Sequence, residues 1–175
     1  MTIKKLVTLD DALRIRRQFR EEGKKLVFTN GCFDILHVGH VRYLYEARQL
    51  GDALMVAVNS DRSVCEIKGE GRPFVPESER AEILCALGCI DYVLIFDEPT
   101  PQSIIEAILP DVLVKGADWG PMEIVGRETV ENAGGLVLSI ALVPGVSTSA
   151  IVSRIVERFG KPAGLGGLGQ PAPGV

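Results

Sequence analysis

Short apolar stretches alternate along the chain with longer segments in which apolar residues recur every three or four positions. Five stretches are short and largely apolar, as in parallel strands that are buried on both faces: 24–30, 53–59, 91–96, 111–115 and 136–142. The longer segments predict helices at 9–22, 39–50, 78–88, 100–109, 128–134 and 147–159. Alternation of this kind predicts a doubly wound, Rossmann-like α/β fold with a mainly parallel five-stranded sheet.

Start and stop signals refine two of these elements. In "TPQSIIEAIL", Thr100 is the expected N-cap and Pro101 the expected first helical residue. The segment "SVCEIKGEGRPFVPESER" is predicted to carry Lys68 in a glycine-rich loop, with Arg80 on the helix that follows.

Composition limits the functions that this fold serves. The chain has 175 residues, 46% of them hydrophobic, and a formal net charge of −4 without a block of Lys and Arg, so nucleic acid is not an expected partner. We expect one domain over residues 1–159 and a flexible Gly/Pro-rich tail over 160–175. No signal peptide or membrane-length apolar run stands out, which predicts a cytoplasmic protein without a membrane partner.

Both histidines of the chain, His37 and His40, lie in "TNGCFDILHVGHVRYL", where a predicted strand gives way to a predicted helix. Free backbone N–H groups and the helix dipole favour anions at such a place, and two imidazoles add donors. Gly39 is expected to leave room for a phosphate. Two histidines without a third ligand are a poor zinc set, so no metal ligands are predicted from the protein.

The stretch "GCFDILHVGH" resembles the G-x-F-D-x-x-H-x-G-H signature of the cytidylyltransferase-like nucleotidyltransferases. These α/β enzymes join a phosphate-bearing substrate to a nucleoside triphosphate and release pyrophosphate. The resemblance implies catalytic roles for His37, His40 and Lys68. It also implies a set of nucleotide- and phosphate-binding residues: Asn30, Gly31, Cys32, Phe33, Gly39, Arg80, Ser147, Thr148 and Ser149.

Two further segments complete the resemblance. "GVSTSAIVSRI" is similar to the family's second phosphate-binding motif at the start of its last helix, although a plain N-cap would use the same residue types. "DVLVKGADWG" follows a predicted strand, and it offers Lys115, Gly116, Asp118 and Trp119 for the substrate or base pocket. Asp34 is assigned to the same pocket, where it is expected to order the loop by accepting backbone N–H bonds.

Within the family, the sequence resembles the heptose 1-phosphate adenylyltransferases most closely, over residues ~24–158, and it looks like their stand-alone form. The resemblance implies ATP and a sugar 1-phosphate as substrates, Mg²⁺ held by phosphates, and a homodimer or higher homo-oligomer. Asp118–Trp119 also occurs in glycerol-3-phosphate cytidylyltransferases, so that reaction stays open. A nucleotide-binding sensor on the same fold is the non-enzymatic alternative.

Overall fold

Five parallel strands form one sheet in the computed structural model, which describes residues 4–116, 124–141 and 143–160. The strands are β1 (Leu26–Gly31), β2 (Ala53–Asn59), β3 (Tyr92–Phe96), β4 (Val112–Gly116) and β5 (Leu136–Ile140). Their order in the sheet is β3-β2-β1-β4-β5, and all four pairings are parallel. The chain therefore winds outward from β1 in both directions, which confirms the predicted doubly wound fold.

Seven helices connect and flank the strands within the described residues. They are α1 (Leu9–Glu21), α2 (Val38–Arg48), α3 (Asp61–Lys68), α4 (Glu77–Ala86), α5 (Gln102–Ile108), α6 (Arg127–Asn132) and α7 (Thr148–Phe159). None of the helices in this part of the chain is long and apolar enough to cross a membrane.

Helix α3 is the element that the sequence pattern did not predict. It begins after Ser60, whose hydroxyl accepts a hydrogen bond from the Ser63 N–H at 3.1 Å, and it ends before Gly69 at φ 93°. Its eight residues are fewer than the ~11 over which helical periodicity is read, although the Ser cap and the Gly stop were both readable. The prediction that Lys68 lies in a loop was therefore wrong, because Lys68 is the last residue of this helix.

The starts of α4 and α5 each differ by one residue from the predictions, and a proline explains both. Pro76 and Pro101 are the N-cap residues of α4 and α5, and each carbonyl accepts the first helical hydrogen bond, at 2.9 and 3.0 Å. A residue without an N–H suits a position where the carbonyl alone is used. Thr100 is accordingly not the cap of α5, and the helix begins at Gln102 instead of Pro101.

The core has one apolar layer on each face of the sheet. Helices α2 and α4 cover one face, where Leu44 and Leu84 are fully buried against β1 and β2. Helices α1, α5 and α6 cover the other face, where Ile105 and Ile108 are also fully buried. Every residue of β2 is buried, as expected for a strand between two helical layers.

A partly buried ion pair joins α1 to the loop before β4, at the amino-terminal ends of the strands. Arg16, 5% exposed, donates to both carboxylate oxygens of Asp111 at 2.7 and 2.8 Å, and its Nε donates to the Leu109 carbonyl at 3.0 Å. The same carboxylate accepts the Leu26 N–H at 2.7 Å. Asp111 therefore joins α1, β1 and β4 at one point.

Replacing Asp111 with Ala should lower the free energy of unfolding by about 3 kcal/mol, because it leaves the Arg16 guanidinium buried without a counter-charge. Urea unfolding followed by circular dichroism measures this change. Asp10→Ala is the matched control, since Asp10 is an exposed carboxylate in the first turn of α1, and it should cost less than about 1 kcal/mol. Equal losses in the two variants would contradict the role given to Asp111.

Candidate active site

A cavity of about 610 Å³ opens at the carboxyl ends of the strands, where the strand order reverses between β1 and β4. Ligands bind at this crevice in doubly wound sheets. Most predicted site residues line it: Asn30, Gly31, Cys32, Phe33, Asp34, His37, Gly39, His40, Lys68, Lys115, Gly116, Ser147, Thr148 and Ser149. Segments more than 100 positions apart in the chain thus meet around one space.

His37 caps helix α2 with its own side chain. Its Nδ1 accepts a hydrogen bond from the His40 backbone N–H at 3.4 Å. A neutral imidazole that accepts at Nδ1 carries its proton on Nε2. The cap therefore fixes the tautomer of His37 and keeps a ring N–H as a donor, and burial lowers the pKa of this histidine.

The ring of His40 stacks on that of His37, with 3.8 Å between centroids and 14° between planes. Burial and the neighbouring His37 lower the pKa of His40 to about 4. Both rings are therefore neutral near pH 7 and can donate hydrogen bonds without adding charge. His40 Nδ1 and Asn30 Oδ1 are buried and have no hydrogen-bond partner among the described residues, which is typical of binding sites.

Two glycines of the signature make room for protein rings. A Cβ on Gly39 would lie 3.0 Å from both Cε1 and Nδ1 of His37, and a Cβ on Gly31 would lie 3.1 Å from the Phe33 ring. Phe33 in turn meets His40 edge to face, with centroids 5.4 Å apart. The space at Gly39 was predicted to admit a phosphate, and the structure shows that the nearest group it admits is the imidazole of His37.

Asp34 joins this loop to the segment after α3. Its Oδ1 accepts the backbone N–H groups of Phe74 and Val75 at 2.8 and 3.0 Å, and its Oδ2 accepts from Arg72 Nε at 2.6 Å. The residue is 3% exposed. Asp34 therefore makes the backbone contacts expected of a loop-ordering residue.

The Ser/Thr segment reaches the cavity at the first turn of α7. Ser147 is the N-cap and accepts the Ala150 N–H at 3.1 Å, so one of the three hydroxyls serves the helix, as the plain N-cap interpretation expects. Thr148 donates to the Ile35 carbonyl at 3.3 Å, which fastens this turn to the histidine loop. Ser149 also lines the cavity.

Two lysines reach the cavity from opposite sides. Lys68 lies at the end of α3, and Lys115 near the end of β4, where it donates to the Asn30 carbonyl at 3.1 Å. Asp118 and Trp119, predicted for the substrate or base pocket, lie outside the described residues.

Among the predicted site residues that the structure describes, Arg80 is the one that does not line the cavity. It is fully buried, and it donates to the carbonyls of Val75 and Cys32 at 2.8 and 2.5 Å and to the Asp61 carboxylate at 2.7 Å. All three guanidinium nitrogens are therefore bonded to protein, and this arrangement does not support the predicted contact with phosphate.

Cys32, a predicted nucleotide-binding residue, lies at the cavity with its thiol protonated, because burial raises the pKa of that thiol.

Several residues that line the cavity were not among the predicted site residues, and they lie on α2, on β2 and on loops. They include Tyr43, Asn59, Arg72, Pro99, Thr100, Ile124 and Val125. A usable signal existed for Asn59, a polar residue at the carboxyl end of an apolar strand, on the ligand side of the sheet. From the sequence alone, Tyr43 looks like an aromatic core residue of α2. Its place beside the site becomes visible from the hydrogen bonds of its hydroxyl with Thr29 and the Val114 carbonyl.

The protein offers no metal-binding cluster within residues 4–116, 124–141 and 143–160. Asp34 is the single carboxylate among the described cavity residues, and both of its oxygens are already engaged.

A family model matches the part of the sequence that forms the cavity. The sequence model of the cytidylyltransferase-like family matches residues 28–154, which run from β1 through the first half of α7 and include both halves of the cavity. The chain belongs to the cytidylyltransferase-like family.

Similar proteins narrow the position within the cytidylyltransferase-like family. The chain is 53% identical over 152 residues to the bifunctional protein HldE of Syntrophotalea carbinolica, and 51% identical over 157 residues to that of Geobacter metallireducens. These alignments cover 87% and 90% of this chain but only 30% and 32% of the relatives. The chain thus spans about a third of the length of the curated relatives it matches.

A solved structure of the same architecture is a lipopolysaccharide core biosynthesis protein from Thermoplasma volcanium. It superposes with a TM-score of 0.57 at 29% sequence identity, and the match covers 69% of this chain and 98% of the other.

Because the folded state holds His40 neutral, stability should fall as the pH drops. The pKa is about 4 in the fold and ~6.5 in an unfolded chain, so between these values the unfolded state binds more protons. We expect a loss of about 3 kcal/mol from this group between pH 7 and pH 4. Urea unfolding of the protein and of His40→Asn over this range measures it, since carboxylate titration is common to both. Parallel pH profiles would contradict the assignment.

Proposed function

We propose that this chain transfers AMP from ATP to D-glycero-β-D-manno-heptose 1-phosphate, giving ADP-heptose and pyrophosphate for lipopolysaccharide inner-core heptose precursors. The catalytic unit is a single nucleotidyltransferase domain over residues 1–159. Identity above 50% to HldE proteins over most of the chain supports this choice of reaction. The segments "KGEGRPFVP" and "EIVG", through which the sequence resembles heptose 1-phosphate adenylyltransferases, support it as well.

The observation that carries the proposal is the meeting of two distant phosphate-binding motifs at one cavity. His37 and His40 lie at the start of α2, and Ser147–Ser149 lie at the start of α7. Thr148 donates a hydrogen bond to the Ile35 carbonyl in the loop before α2. Helix N-termini present unpaired N–H groups to anions, and two such ends suit a chain of phosphates.

In the proposed reaction, a phosphate oxygen of the sugar 1-phosphate attacks the α-phosphorus of ATP. The new P–O bond forms as the bond to the β-phosphate oxygen breaks, and pyrophosphate leaves with the electron pair. The nucleophile is already an anion, so no protein base is needed, and catalysis depends on alignment and charge stabilisation. His37 donates from Nε2, and His40 donates as a second neutral imidazole, to oxygens that gain charge in the transition state.

Positive charge in this scheme comes from Lys68 and Lys115, which line the cavity on opposite sides. Mg²⁺, bound through phosphate oxygens, would offset charge on the departing pyrophosphate. Asp118 and Trp119 remain our candidates for contacts with the base or the sugar.

We also propose that the protein works as a homodimer or higher homo-oligomer in the cytoplasm, where ATP is available. Exposed apolar side chains on α7 support self-association: Ile155 is 51% exposed, Val156 59% and Phe159 80%.

Pyrophosphate release tests the function directly. ATP with heptose 1-phosphate and CTP with glycerol 3-phosphate are compared in the presence of Mg²⁺. We expect turnover with the first pair alone. Turnover with the second pair alone would contradict the choice of substrates and would point to the Asp118–Trp119 pair. Nucleotide binding without turnover of either pair would favour a sensor.

His40→Ala should lower kcat by about 10²- to 10³-fold, because the transition state loses one positioned donor. Glu46→Ala is the matched control, since Glu46 is an exposed residue of the same helix outside the cavity, and it should retain full activity. A loss of less than about fivefold in folded His40→Ala would exclude the catalytic role.

A further inference from the structure

We propose that Arg72 binds a substrate phosphate in this cavity and that Asp34 and Phe74 hold its guanidinium in the orientation that binding requires. The inference rests on the proposed function, because the phosphate is taken to be one of the substrates' own. Sequence reasoning favoured Arg80 for this work, and the two arginines differ in the contacts that they make.

Arg72 is held on two sides by protein. Its Nε donates to Asp34 Oδ2 at 2.6 Å, and its guanidinium carbon lies 4.7 Å from the centroid of the Phe74 ring. The Asp34 carboxylate is itself fixed by the backbone N–H groups of Phe74 and Val75. A flexible side chain is therefore set in place before any ligand arrives, which reduces the entropy cost of binding.

The terminal nitrogens of the Arg72 guanidinium have hydrogen-bond donors that the described residues do not use. Its two terminal nitrogens carry four N–H groups and make no hydrogen bond with the described residues, and its side chain is 22% exposed at the cavity wall. Arg80, by contrast, is 0% exposed, and each of its nitrogens is bonded to protein. The guanidinium of Arg72 is partly buried, and its unpaired terminal N–H groups at the cavity can donate to two oxygens of one phosphate.

The location of Arg72 agrees with this use. Lys68 and Arg72 come from one short segment at the end of α3 and beyond, and both line the cavity. Both cations lie close enough to the signature loop to oppose the rise in pKa that burial gives to the Cys32 thiol. The segment therefore adds two cations to the side of the cavity formed by the signature loop.

The test is calorimetric binding of four probes to the wild-type protein, Arg72→Ala and Arg62→Ala: inorganic pyrophosphate, ATP, heptose 1-phosphate and adenosine. Arg62 is a half-exposed arginine of α3 that pairs with Asp97 and Glu66 away from the cavity, and its variant should bind like wild type. Arg72→Ala should weaken at least one phosphate-bearing probe by about 10- to 100-fold and leave adenosine unchanged.

The pattern of losses identifies the phosphate. Weaker binding of ATP and pyrophosphate assigns Arg72 to the triphosphate, and weaker binding of heptose 1-phosphate alone assigns it to the acceptor; either result supports the proposal. Phosphate affinities within twofold of wild type would overturn it. An equal loss for adenosine would also overturn it, because Arg72 would then serve only the shape of the loop.

Arg72→Lys keeps the test readable if Arg72→Ala does not fold. One ammonium must then serve both Asp34 and the phosphate, so affinity should fall by about 3- to 10-fold. Failure of the proposed function can be told apart from failure of this inference. Wild-type protein that binds these probes but makes no product would contradict the proposed reaction, and the binding measurements would still test the role of Arg72. Wild-type protein that binds none of the phosphates would overturn both proposals.

Discussion

The arrangement of the site depends on the hydrogen bonds that the buried carboxylate of Asp34 accepts. It accepts two backbone N–H groups and one guanidinium N–H from the segment after α3, and it is 3% exposed. A buried charge is tolerated only when its partners are complete, so the loop after β1 and the segment at residues 72–75 must adopt their positions together. One residue of the signature thus determines where a second part of the cavity wall lies.

The histidine pair illustrates how packing prepares polar groups for chemistry. Phe33 and Gly31 fit against each other, Phe33 lies edge-on to His40, and the absence of a side chain at Gly39 admits the ring of His37. The two imidazoles then stack, and burial keeps them neutral. The spacing of the signature therefore encodes a packed cluster as much as a set of ligand contacts, and the donors are oriented before a ligand binds.

The sequence predicted the sheet, six of the seven helices in the described part of the chain, and just over half of the residues that line the cavity. Strands β1, β2 and β4 are largely buried between the helical layers, so they stand out in the sequence as short, nearly continuous apolar runs. The resemblance supplied the motifs. The prediction missed α3, whose eight residues are fewer than the ~11 over which helical periodicity is read. It also placed Arg80 among the phosphate-binding residues, because no sequence pattern distinguishes a guanidinium that braces a loop from one that faces a ligand. That distinction depends on carbonyls and carboxylates from distant segments, which only the folded chain brings within reach.

Neutral histidines leave the positive field of the cavity to Lys68, Arg72 and Lys115. Such a field is open to screening, because at physiological ionic strength mobile ions damp charges beyond about 8 Å. Dilute salt should draw polyphosphates into the cavity and concentrated salt should release them. The histidines, whose pKa values lie below the ordinary range, add nothing to that attraction as the pH passes through neutrality. The protein's own contribution to that attraction therefore responds to ionic strength more than to pH near neutrality.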